Sequence, residues 1–215
     1  MSQKYFTFLL LFPLAALLCE AGSISGKVDM GEQRAKPRMK KRYGGGVDRL
    51  LKEPPPKGAV IYLQGDFTSE QMQLPEGMPE MKQDGLQFVP AVMPVMVGTT
   101  VSFPNMDPVY HNVFSYSKNK RFDLGRFQKG EEAPTVKFEQ EGEVKVYCEI
   151  HSHMRSTILV VESPYFSVSE PDGSFSLKNV PAGQYVAKAW VNSRKQYEKP
   201  ITVPATGNVE VNFED

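Results

Sequence analysis

Cys148, His151 and Met154 follow one another at three-residue steps in the run Tyr147-Cys148-Glu149-Ile150-His151-Ser152-His153-Met154. One short loop with that spacing can gather a thiolate, an imidazole and a thioether around a single point. Before it, Val144, Val146 and Cys148 alternate with Lys145 and Tyr147, so in a strand the three share one face. The valines mark it as the core face, which points the sulfur inward at the strand's end. A tight loop over 149–155 and a second strand over 157–161 are expected to follow. A fourth group lies upstream in the run Val101 to Ser115. Val101 and Phe103 share a face there, as do His111 and Val113, so His111 also sits inward near a strand start.

A thiolate and two imidazoles with a weak thioether form the ligand set of a mononuclear copper site of the type 1 kind. Soft sulfur favours Cu(I), and imidazole accepts Cu(II). A set that satisfies both states without large rearrangement suits one-electron transfer. Zinc is the competing metal; it takes Cys and His readily but leaves Met154 unexplained. His153, beside the ligand loop, could stand in for His151 or Met154; it is read here as solvent-exposed. Taken singly, each residue has an ordinary structural role open to it, and the joint arrangement carries the reading.

The elements that must position these groups are strands. The chain has 215 residues, 40% of them hydrophobic, with 17 Gly and 17 Pro punctuating short β-branched runs. That pattern reads as all-β. Lys+Arg and Asp+Glu balance at 25 each, which argues against a nucleic-acid binder. Residues 1–21 read as a cleaved leader: Lys4, an apolar run from Tyr5 to Leu18, then small residues to a cut after Ala21. The run is short for a membrane span and Pro13 interrupts it. Export, to the periplasm or beyond the cell, is therefore expected. Cys19 is the lipoprotein alternative, disfavoured by the bulky Leu18 before it. With Cys19 removed, Cys148 is the single thiol of the mature chain, a liability in an oxidising compartment unless buried or bound.

The segment 80–162 resembles the cupredoxins, the plastocyanin–amicyanin group in particular. The resemblance rests on Phe88-Val89-Pro90, Gly98-Thr99-Thr100-Val101-Ser102-Phe103, His111-Asn112-Val113 and Tyr147-Cys148 through Met154. The Cys-x-x-His-x-x-Met spacing is similar to the short ligand loop of amicyanin, although Glu149-Ile150 lacks the Pro usual before the loop histidine. The resemblance implies an eight-stranded Greek-key sandwich with copper at one end. It also implies electron exchange near the edge of the loop histidine, and hydrogen bonds from Asn112 that brace the two ligand loops.

A second module surrounds this one. From Ser167 to Val191, Asp172-Gly173 and Pro181-Ala182-Gly183 mark turns between alternating runs. This region resembles the carboxypeptidase-regulatory-like, transthyretin-like β-sandwich. Ile24 to Val28 and Gly58 to Gln64 look like further strands of it. The expected organisation is thus 22–66 with 163–215 as a discontinuous small sandwich and 80–162 as the cupredoxin domain; the other reading pairs the N-terminal strands with the cupredoxin sheet. The basic segment from Arg34 to Arg42 reads as a solvated loop, or as a docking arm for an acidic redox partner or an anionic membrane surface. Met72, Met78 and Met81 invite a Cu(I) reading, but irregular spacing and two prolines favour ordinary packing. The function expected is an exported one-electron carrier and not an enzyme; a copper storage, chaperone or structural module is the alternative. An open coordination position for substrate is not expected at such a site.

Overall fold

The computed structural model describes residues 21–31 and 47–214. The expected leader, save Ala21, and the basic segment from Arg34 to Arg42 lie outside the described residues. The architecture is all-β, a Greek-key sandwich of the cupredoxin kind joined to a second β-sandwich.

The central sandwich occupies the middle of the chain. Its larger sheet runs in the order β5 (Val92–Met96), β11 (Arg155–Val161), β10 (Gly142–Tyr147), β7 (His111–Ser117), β8 (Lys120–Phe127). Facing it are two short ladders, β3 (Lys82–Gln83) with β4 (Phe88–Val89), and β6 (Thr100–Ser102) with β9 (Thr135–Lys137). Among the described residues this makes nine strands where the resemblance implied eight, β3 and β4 being two residues each. Val101, Phe103, Val113, Phe138, Val144, Val146 and Ile158 fill the space between the layers. Met81 joins this core at 0% exposure while Met78 is 52% exposed. The three methionines of that segment therefore have unlike surroundings, as packing requires and a shared thioether site does not.

The N-terminal strands pair with the C-terminal ones and not with the central sheet. β1 (Ala21–Lys27) lies between β13 (Ser174–Pro181) and β16 (Asn208–Glu210). β2 (Val60–Gln64) lies between β12 (Phe166–Val168) and β14 (Gly183–Asn192), with β15 (Lys195–Val203) at the edge. Ile24, Phe175, Leu177 and Phe213 on one sheet meet Ile61, Leu63 and Ala187 on the other. The central sandwich leaves the chain after β2 and returns at β12, two strands that are hydrogen-bonded neighbours, with Tyr62 opposite Phe166.

The apolar run Ile158-Leu159-Val160-Val161 does not alternate, and the packing explains it. Ile158 and Val160 face the central core. Leu159 and Val161 face outward onto Val60 and Trp190 of the second sandwich, with Val92, Tyr62 and Phe166 alongside. A strand covered on both faces reads as continuous apolar sequence.

β1 and β16 run parallel at very close quarters. Val211 donates its N–H to Ser25 O at 2.8 Å, and a Cβ added at Gly26 would run into the carbonyl of Val211. Gly26→Ala is expected to destabilise the protein by about 2 kcal/mol or more through forced backbone movement, read as a lower midpoint in urea unfolding.

Candidate metal centre

His111 opens β7, and Cys148 is the first residue beyond β10. His151 lies in the loop between β10 and β11, and Met154 immediately precedes β11. Val144 and Val146 are buried and Lys145 is exposed, so the alternation that aims Cys148 inward holds to the strand's end. The three donor atoms converge. Nδ1 of His111 is 3.0 Å from Nδ1 of His151, and Cys148 Sγ is 4.0 Å from each. Exposure is 0% for His111, 4% for Cys148 and 5% for His151. Met154 is fully buried in the same core; its N–H donates to His151 O at 2.8 Å and its carbonyl accepts from Cys148 N–H at 3.3 Å.

The donor set fits a metal ion. A point equidistant from the three atoms lies about 2.2 Å from each, close to the roughly 2.0–2.3 Å typical of metal bonds to His nitrogen and Cys sulfur. The chemistry of the flanking contacts agrees. Nε2 of His111 is 3.0 Å from the buried carboxylate of Asp107. A carboxylate accepts, so the proton sits on Nε2 and the Nδ1 lone pair is left facing Cys148 and His151.

Asp107 is the residue that sequence reasoning missed. Its carboxylate also accepts N–H bonds from Gly85 at 2.8 Å and Leu86 at 2.9 Å. Asn105 shapes its loop, taking the Asp107 N–H on its side-chain oxygen at 2.9 Å and donating to Val109 O at 2.9 Å and Phe127 O at 3.0 Å. The available signal was Asn105-Met106-Asp107-Pro108, turn chemistry that places a carboxylate four residues before His111. Asn112 accepts the Glu149 N–H at 2.7 Å and so ties β7 to the ligand loop. His153 departs from expectation: it is half-buried, and its Nε2 donates to Leu86 O at 2.9 Å. A neighbouring turn, not solvent, receives it.

Electrostatics favour the ligand form of Cys148. Burial raises the Cys148 thiol, but its contacts with His111 and His151 and hydrogen bonds from two backbone N–H groups outweigh it and hold the pKa at about 5. Cys148 is thus a thiolate near neutral pH, the form that binds metal. Burial lowers His111, yet the Asp107 hydrogen bond and the adjoining sulfur raise it overall. Burial also raises Asp107, and the bonds from His111, Leu86 and Gly85 pull it below its ordinary value. Among the described residues, His111, Cys148 and His151 stand out as a cluster spaced to hold a metal, their donor atoms within 4.8 Å of one another.

Comparison with known proteins bears on which metal. The sequence model of a family described as copper binding proteins, plastocyanin/azurin family, matches residues 76–161. A search of the curated proteins found no match. Similar solved structures include a reduced mutant of amicyanin, 19% identical over 47% of this chain and 98% of that one, with TM-score 0.37. A purple cupredoxin from Nitrosopumilus maritimus is 30% identical over 35% of this chain and 82% of that one, TM-score 0.32. The copper-containing nitrite reductase from Thermus scotoductus is 27% identical over 41% of this chain, TM-score 0.39, and the matched part spans 23% of that enzyme. Residues 76–161 thus match the model of the plastocyanin/azurin family of copper binding proteins, and the candidate copper site is formed by His111, Cys148 and His151, with Met154 nearby.

Asp107→Asn retains shape but offers one accepting oxygen where three donors now converge. It is expected to weaken copper binding about 10- to 100-fold, the usual effect of losing a partner behind a metal-binding histidine. Competition against a chelator of known affinity measures it.

Proposed function

We propose that the protein is an exported one-electron carrier, with a single type 1 copper ion bound by His111, Cys148 and His151 and more weakly by Met154. The observation that carries this reading is the buried triangle of two Nδ1 atoms and one thiolate, with Asp107 fixing the tautomer behind it. Copper held there supplies reversible one-electron exchange between Cu(I) and Cu(II). The residues supply rigidity. The Asn112 bond to Glu149 and the Asp107 bond to His111 hold the two ligand segments in one arrangement, so little moves when charge changes. Burial of all three donors excludes water. It also leaves a substrate no evident approach, which supports a carrier over an enzyme; the nitrite reductase likeness concerns a fraction of that protein.

A redox partner protein would meet the end of the domain where His151 lies. Ile150 beside His151, Tyr110 beside His111 and Met106 beside Asp107 are exposed apolar groups there, suited to brief contact at a desolvated patch. The basic segment from Arg34 to Arg42 would add attraction for an acidic partner or an anionic membrane surface. Export to the periplasm rests on the leader-like residues 1–21. Residues 22–66 and 163–215 form, in this reading, one transthyretin-like module into which 80–162 is inserted. Its support is the pairing of β1 with β13 and β16, and of β2 with β12 and β14.

An absorption spectrum of the copper-loaded, oxidised protein tests the reading. An intense visible band that bleaches reversibly on reduction is expected; a colourless protein holding Cu(I) alone would point to storage. Cys148→Ser should abolish the band and leave the far-ultraviolet circular dichroism unchanged, because thiolate-to-copper charge transfer needs the sulfur and Ser is nearly isosteric. Met154→Leu, close to it in volume, should keep copper bound and raise the reduction potential, since the thioether tunes while the other three ligands supply most of the affinity. Voltammetry decides, and loss of copper from a folded Met154→Leu protein would give that sulfur a larger role than tuning.

A further inference from the structure

Leu50, Leu51 and Lys52 precede the matched domain, yet they pack against it at the metal end. Leu50 ends the short 3-10 turn Val47–Leu50, and both leucines lie against the cupredoxin core. Lys52 donates its backbone N–H to Gly85 O at 3.0 Å. Its ammonium reaches both carboxylate oxygens of Asp84, at 2.8 and 2.6 Å. Its aliphatic stem covers Gly85 so closely that a Cβ there would run into Lys52 Cβ, Cγ and Cδ.

The turn that Lys52 holds is conformationally unfavourable. Gly85 and Leu86 both have left-handed backbones, with φ of 65° and 57°, and Leu seldom adopts that region unless its surroundings enforce it. The turn touches both ligand segments. Its two N–H groups bind Asp107, which holds His111, and its Leu86 carbonyl accepts from His153, two residues beyond His151. These contacts make one continuous path from residues 50–52 to both halves of the copper site.

We propose that Lys52, seated by Leu50 and Leu51, is a positioning residue for the metal centre: it clasps the 84–86 turn, which fixes Asp107 and His153 together. This rests on the copper reading above. The ion pair with Asp84 is largely solvent-exposed and contributes little. The backbone N–H and the stem over Gly85 do the holding. Copper retention and reduction potential thus depend on a segment outside the domain that binds the ion.

The test uses the full chain. Lys52→Pro removes both the donated N–H and the stem; Lys52→Met and Lys52→Arg keep both. Three quantities are read: the rate of copper loss to a chelator, the reduction potential, and amide hydrogen exchange at Gly85 and Leu86 in the metal-free protein. For Lys52→Pro, copper loss should quicken about tenfold, the lower end for contacts behind a ligand. The potential should rise, because a loosened Asp107 makes His111 a weaker donor to the oxidised ion, and the two amides should lose protection. The Met and Arg variants should match the wild type in all three. Unchanged exchange and copper loss in Lys52→Pro would overturn the proposal. Faster exchange with unaltered copper loss and potential would overturn the positioning role. If Lys52→Pro does not fold, Leu51→Ala, trimming a half-buried group in the same segment, carries the same expectations and the same refutation. A wild type that takes up no copper would refute the carrier reading, while the exchange arm would still decide whether the clasp exists.

Discussion

The hydrogen bond between His111 Nε2 and the buried carboxylate of Asp107 is the contact on which the metal end of this molecule depends. An unpaired carboxylate at that depth would be strongly disfavoured. It is tolerated because two backbone N–H groups and an imidazole share its charge. In return it settles which nitrogen of His111 is free. That nitrogen's lone pair faces Cys148 and His151, so the three donor atoms already converge on one point before any ion arrives. Each also sits on a different structural footing, a strand start, a strand end and a loop, and the loop is tied down by Asn112.

The second sandwich bears on the site indirectly. Its Trp190 and Val60 cover the outer face of β11 through Leu159 and Val161, while the inner face of the same strand lines the metal domain's core. Ser193 adds a polar tie to Glu143 at 3.0 Å. The strand that leaves the ligand loop is therefore gripped on both sides, and the end of the domain bearing His151 keeps its exposed apolar groups.

Much of the site was legible from local rules. Period-two alternation placed Cys148 and His111 on inward faces, and the three-residue steps placed His151 and Met154 in one loop. Turn residues marked β13 and β14 correctly. What escaped depended on chain segments far apart in sequence. Asp107 acquires its role when the 105–109 loop folds onto β7 and the 85–86 turn folds onto it, and no periodicity encodes either event. His153 looked like a surface group because its acceptor, Leu86 O, is 67 positions away. The unbroken apolar run of β11 is ambiguous by itself, since two-sided burial requires knowing what packs outside. Which sheet β1 and β2 would join was likewise open, because strand pairing over such separations leaves no local trace.

The order of these strands along the chain bears on how it can assemble. β2 and β12 are adjacent, yet the whole cupredoxin sandwich separates them in sequence. With that stretch unfolded, bringing Tyr62 beside Phe166 means closing a long loop, with its full entropy. Once the inner sandwich has folded, its own entry and exit points hold those ends near each other, and most of that entropy has already been lost. The outer sandwich is then completed by local pairing around a preformed joint, so its cooperativity is borrowed from the domain it encloses.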